Sequence, residues 1–175
     1  MALQGKFVVN DADFSPLSIY GVGTFLAYSG KDAYRNRGGC IGVPSLGPIP
    51  PGRYFIVDRP TGGARGVLRN IAKYSWTWVT PTPTIKAEWF ALYREDGRID
   101  DQTWINGVER GNFRLHPPGP AGVSLGCITL QHRADFTTIR QSLIATQQLK
   151  LANGLLSYGI IEVTLNGSET CPSGI

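Results

Sequence analysis

The chain has 175 residues, 42% of them apolar and 17% charged, with 22 glycines and 12 prolines. That length predicts one domain able to bury a core without metal or disulfide staples, and the Gly and Pro content is too low for a low-complexity chain. The net charge of +4 would suit an acidic partner. However, no two Lys or Arg residues are adjacent, so the basic tract that tracks a phosphate backbone is missing, and nucleic acid is not the expected partner.

The first apolar run, residues 7–9, is cut by Asn10, Asp11 and Asp13, and no later run approaches the roughly 18 residues of a membrane helix. Neither membrane insertion nor a standard signal peptide is expected. Short β-branched and aromatic runs bounded by Gly, Pro and Asn recur at 6–9, 24–28, 53–58, 89–94, 113–116, 127–130 and 160–165, which reads as mainly antiparallel β. The expected class is mainly β with one or two helices (α+β). Gly21-Val22-Gly23 begins like a dinucleotide loop but lacks the third Gly and the crossover helix, so it reads as a turn between strands. Residues 47–52 (Gly-Pro-Ile-Pro-Pro-Gly) read as a rigid turn that aims the following strand, with Gly52 free to take a positive φ.

A weak helical stretch at 64–73 leads into an extended segment whose Trp76 and Trp78 fall on one face, open to lining a groove or to packing on the sheet. Trp89 lies in a strand-like run and reads as core. The acidic residues Glu95, Asp96, Asp100 and Asp101 surround Gly97 and read as a solvated turn. One longer helix is predicted over 133–151, with Phe136, Ile139, Leu143 and Ile144 at helical spacing, Gly154 closing it and His132 at its start.

The chemistry concentrates between residues 113 and 130, where two strand-like runs flank a loop dense in Gly and Pro. Alternation places Arg114 and His116 opposite Phe113 and Leu115, and Cys127 and Thr129 opposite Ile128 and Leu130. A hairpin here would bring imidazole and thiol onto one face. Pro117 holds His116 extended at the strand end. A thiol is a useful nucleophile only as thiolate, and a neighbouring imidazole can take its proton. Gly126 lets the backbone bend so that N–H groups face a developing oxyanion, and Ser124 can hold that turn. From spacing alone, the pair reads equally as an acyl-transfer site or as a small buried Cys beside a loop-capping His. The short loop from His to Cys fits neither papain-like nor caspase order. Three Cys and two His without a Cys-x-x-Cys pair are poor material for a zinc site.

His116, the loop and Ser124-Leu125-Gly126-Cys127-Ile128 resemble the His…Ser-x-Gly-Cys signature of YkuD-type L,D-transpeptidases, in the form of the type VI secretion L,D-transpeptidase effectors. Ser29-Gly30, residues 47–54 and residues 106–117 resemble the same effector family. Leu125 and Thr129 stand where the housekeeping enzymes carry a His and a basic residue.

The resemblance implies a YkuD-like β-sandwich forming a single catalytic domain over residues 1–175, with a Gly-, Ser- and Pro-rich tail from about 167 that is open to being flexible. It assigns Cys127 as nucleophile and His116 as base, with no metal or cofactor. Arg114 is left between a substrate carboxylate and a surface ion pair. The implied substrate is the peptidoglycan stem peptide, attacked by L,D-carboxypeptidase or L,D-transpeptidase chemistry in the periplasm of target bacteria. The implied partners are secretion machinery and a cognate immunity protein that plugs the Cys127 groove. In an oxidising periplasm Cys40 and Cys171 are open to pairing, or to remaining free if the tail is disordered. A noncatalytic cell-wall-binding module and a cysteine amidohydrolase with another substrate are the competing readings.

Overall fold

The computed structural model describes residues 1–60 and 88–172. The weak helical stretch at 64–73 and the segment carrying Trp76 and Trp78 lie outside the described residues.

The strands in chain order are β1 (Leu3–Val9), β2 (Ser15–Ile19), β3 (Gly23–Tyr28), β4 (Gly52–Asp58), β5 (Phe90–Arg94), β6 (Gln102–Ile105), β7 (Val108–Gly111), β8 (Arg114–His116), β9 (Ile128–Leu130), β10 (Leu149–Lys150) and β11 (Leu156–Leu165). One helix, α1 (Arg133–Ile144), follows β9. No helix among the described residues is long and apolar enough to cross a membrane.

Hydrogen bonding runs in the order β1-β2-β3-β9-β8-β5-β4-β11, and β11 returns to β1. The main sheet is therefore an 8-strand barrel-like sheet, in a mainly β chain with one helix as expected. Most pairings are antiparallel as expected, whereas β1–β11 and β8–β9 are parallel. β10 extends the edge of β11 beyond β1, and β6 with β7 forms a separate hairpin.

Alternation sets the barrel interior. Phe7 and Val9 of β1, Leu17 and Ile19 of β2, Tyr54 and Ile56 of β4, Leu115 of β8 and Ile128 and Leu130 of β9 all enter one core. Phe136, Ile139 and Leu143 of α1 are fully buried in the same core, so the helix packs its predicted apolar stripe onto the sheet. β4 and β5 are buried on both faces. Phe55, Val57, Ala91 and Tyr93 join Leu151 and Ile160 in a second cluster outside the barrel.

The helix stops at Ile144, short of the predicted end at 151. Leu149 and Lys150 instead pair with Leu156 and Ser157, and Gly154 closes the turn between them. β2 was not legible in the sequence because Ser15, Pro16 and Ser18 are poor strand formers. Pro16 is tolerated because β1 pairs no further than Leu17, so no Pro16 N–H is needed on that side.

Cys40 and Cys171 form a disulfide across a sequence separation of 131. The described part of the tail lies against the body of the protein. Asp11 Oδ2 accepts from the Ser168 N–H at 2.5 Å, and a Cβ on Gly39 would lie 2.2 Å from the Thr170 carbonyl carbon.

Candidate active site

β8 is held between β5, which is antiparallel to it, and β9, which is parallel. The hairpin expected between His116 and Cys127 is therefore not formed. Residues 117–127 carry the chain back so that β9 starts level with β8 and runs the same way, as parallel neighbours require. The register sets Leu115 opposite Ile128 and His116 opposite Thr129. Since Leu115, Ile128 and Leu130 point into the core, Arg114, His116, Cys127 and Thr129 share the other face, as alternation predicts.

His116 is 5% exposed and held on three sides. Its Nδ1 lies 2.7 Å from the Pro117 carbonyl, which can only accept, so Nδ1 carries the proton and Nε2 bears the lone pair of the neutral ring. Nε2 lies 3.2 Å from the Thr129 hydroxyl, which donates to it. The ring stacks on Trp89 with centroids 4.2 Å apart and planes 17° apart. Burial pulls the His116 pKa down to about 4, against the raising effect of the Pro117 carbonyl and with help from the cations Arg59 and Arg114.

Cys127 is partly exposed and is the one free thiol. Its Sγ lies 3.7 Å from the Asn112 carbonyl, to which it donates. Burial pushes the thiol up to about 11, while the Arg114 backbone and guanidinium pull it down. At neutral pH thiol and imidazole are both uncharged, so the two do not form a preformed ion pair.

Arg114 has a partner already. Its guanidinium forks onto Asp101, Nη1 to Oδ1 at 2.5 Å and Nη2 to Oδ2 at 2.6 Å. Their side chains are only 11% and 29% exposed, so this is a largely buried pair and not the surface one considered from the sequence. Asp101, read as part of a solvated turn, is thus brought beside Cys127. Its backbone carbonyl also accepts from the Asn112 N–H at 3.0 Å, which ties the start of the β6–β7 hairpin to the residue whose carbonyl accepts the hydrogen bond of the thiol.

The turn before Cys127 is fixed from three directions. Ser124 is buried and its hydroxyl donates to the Cys127 carbonyl at 2.7 Å. Ser29, fully buried, donates to the Gly126 carbonyl at 3.1 Å and accepts from the Ile49 N–H at 2.7 Å. Gly126 has φ +100°, and a Cβ there would lie 2.9 Å from Arg110 Nη2 and 3.2 Å from the Phe113 ring. Arg110 is itself buried, donating to the carbonyls of Ile41, Gly47 and Pro48. The proline turn at 47–52 therefore does more than aim β4: its carbonyls hold the cation that packs under Gly126.

The family model described as the Tlde1 domain matches residues 23–154, from the start of β3 to just before β11. The chain belongs to the Tlde1 family. Its members are type VI secretion antibacterial effectors with L,D-transpeptidase-type activity, delivered to target cells and linked to peptidoglycan modification. No curated protein matches the chain. The matched part of this Tlde1 domain carries Ser29, Asp101, Arg110, Arg114, His116 and Cys127, while β1, β2, β11 and Cys171 lie outside it.

Of the residues singled out in the sequence, the Tlde1 domain brings together Cys127, His116, Ser124, Gly126 and Arg114. His132 sits at the N-cap of α1 without a side-chain capping bond. Sequence reasoning put Thr129 on the face of Cys127 without a role, read Trp89 as core and Asp101 as part of a solvated turn, and gave Arg110 no role of its own. Ser29-Gly30, residues 47–54 and residues 106–117, the last containing Arg110, carried a signal through their resemblance to the effectors.

Proposed function

We propose that the protein is a cysteine acyltransferase of peptidoglycan stem peptides, with Cys127 as nucleophile and His116 as general base. The observation that carries this reading is the orientation of His116: its Nδ1 proton is committed to the Pro117 carbonyl, which leaves the Nε2 lone pair on the face that Cys127 shares. Membership in a family of peptidoglycan-directed effectors supplies the substrate class.

In this mechanism the thiol proton passes to Nε2 as sulfur attacks the carbonyl carbon of the third stem residue, a diamino acid. The carbonyl π pair moves onto oxygen, where N–H groups of the turn at Gly126 and Cys127 receive it. Collapse breaks the C–N bond, and Nε2 returns the proton to the departing amine of D-alanine, leaving a thioester on Cys127. Water then completes an L,D-carboxypeptidase cycle, whereas a D-amino acid or a second stem gives exchange or cross-linking. Arg114 acts as a fixed charge beside the sulfur, stabilising the thiolate as it forms, since Asp101 already occupies its fork.

The residues 1–175 act as one YkuD-like catalytic domain in this reading. The protein works in the periplasm of a target cell, where the Cys40–Cys171 bond is at home. A cognate immunity protein covers the Cys127 groove in the producer. Purified protein incubated with tetrapeptide muropeptides and read by mass tests the proposal. Loss of D-alanine supports hydrolysis and replacement of D-alanine by an added D-amino acid supports exchange. Binding without a change of mass would instead support a noncatalytic cell-wall module.

A further inference from the structure

Trp89 immediately precedes β5, and the antiparallel register of β5 with β8, Phe90 opposite Leu115, sets Trp89 directly across from His116. The two rings form a cross-strand pair that is almost coplanar in tilt, 17° apart with centroids at 4.2 Å. The Arg59 guanidinium lies over the same indole, 5.5 Å from the ring centroid. Among the described residues the buried Trp89 Nε1–H has no hydrogen-bond partner, whereas a tryptophan placed only for packing usually satisfies that donor. Its position is therefore explained by the use of its ring face.

We propose that Trp89 is a positioning residue for His116: an indole cover that, with Arg59 over it, fixes the plane of the imidazole and keeps the base uncharged until substrate arrives. Among the described residues, the charged groups acting on the ring are Arg59 beyond β4 and Arg114 on β8, while Asp101 at the foot of the β6–β7 hairpin pairs with Arg114 and Cys127 precedes β9 on the same face. Arg59 and Arg114 both disfavour a proton on His116, and burial, the largest cause, acts in the same direction. The indole contributes to both causes, since it excludes water from one face of the ring and lies beneath Arg59. A base that stays neutral keeps a lone pair on Nε2, which accepts from the Thr129 hydroxyl in the resting site and exchanges that bond for the thiol proton, while the Pro117 carbonyl holds the ring in its plane. The inference deepens the acyl-transfer reading and rests on it for its meaning, but its test does not need turnover.

The test is an NMR titration of the imidazole in the intact protein, where only two histidines contribute and His132→Gln assigns the signals. Trp89→Phe, which keeps a stacked ring, is expected to leave the His116 midpoint within about half a pH unit of the parent. Trp89→Leu admits water and removes the support under Arg59, and is expected to raise the midpoint by about one unit or more. Trp89→Met serves in its place if the leucine protein does not fold, with the same rise expected. A folded leucine or methionine protein with an unchanged midpoint overturns the proposal, as does a phenylalanine protein shifted as far as either. If the midpoints move as stated while no variant or parent turns over muropeptides, the reaction is wrong and the positioning role stands. Normal turnover with unmoved midpoints has the opposite meaning.

Discussion

The Ser29 hydroxyl donates to the carbonyl of Gly126, the residue before Cys127, at 3.1 Å from a fully buried position at the end of β3. The same oxygen accepts from the Ile49 N–H at 2.7 Å, so one side chain joins β3, the proline turn and the turn that presents Cys127. Arg110 packs against Gly126, and its carbonyl partners come from residues 41–48. The turn that carries the Cys127 thiol is therefore held by segments far from it in sequence.

Gly126→Ala is expected to be costly for two reasons, a φ of +100° and an Arg110 nitrogen 2.9 Å from the new methyl. A loss of about 1–3 kcal/mol in urea unfolding is predicted, together with loss of turnover, because relief of the contact must move the turn that carries Cys127. Ser29→Ala leaves the Ile49 N–H and Gly126 carbonyl without their partner and is expected to cost on the order of 1–3 kcal/mol. Parental stability in both variants would contradict the described turn.

Much of this frame could be read from the sequence, because alternation and the Gly and Pro boundaries act locally. The strands around residues 6–9, 53–58 and 160–165 and the apolar stripe of α1 are found where expected. β2 was hidden by its polar and proline composition, and the early end of α1 depends on β10 pairing with β11, a tertiary contact that outweighs helix propensity. His116 and Cys127 were visible as reactive residue types on one face. Asp101, Arg110 and Trp89 were not, because their roles depend on which strands meet. The β5–β8 register brings Trp89 to His116, the carbonyls of residues 41–48 hold Arg110, Arg114 holds Asp101, and nothing local encodes these meetings.

The Cys40–Cys171 bond makes a direct prediction about thiols. Denatured, unreduced protein is expected to take up one iodoacetamide, at Cys127, and three after reduction. Three adducts without reduction would contradict the bond. Cys171→Ser is expected to lower stability, with chain entropy for a loop of this length setting a ceiling on the order of 4–5 kcal/mol. Because Gly39 packs on the tail and Arg110 holds the following loop, turnover is expected to fall as well.

Stability should also depend on pH through His116. Its folded pKa of about 4 lies below the ordinary value of 6.5, so between those values the unfolded chain binds a proton that the folded protein does not. The contribution is fully present above about pH 6.5 and is lost as pH falls towards 4, amounting to about 3 kcal/mol. Cys127 acts in the other direction: its raised pKa of about 11 gives stability that is present below about pH 9 and lost as pH rises through 11. Urea unfolding of the parent and His116→Gln proteins from pH 4 to 8 checks the first of these. The parent is expected to lose more stability than the variant across pH 6.5 to 4, and parallel curves would contradict the buried neutral imidazole.

The most direct test of the acyl-transfer mechanism is the release of D-alanine from tetrapeptide muropeptides by the parent, Cys127→Ala and His116→Ala proteins, measured together with the mass of the protein itself. The parent is expected to release D-alanine and, when quenched with acid during turnover, to carry the remaining stem as a thioester on Cys127. Cys127→Ala is expected to release none and carry no adduct, and His116→Ala to slow by about 10²–10⁴-fold with its fold retained. Release of D-alanine by Cys127→Ala at the parental rate would contradict the mechanism.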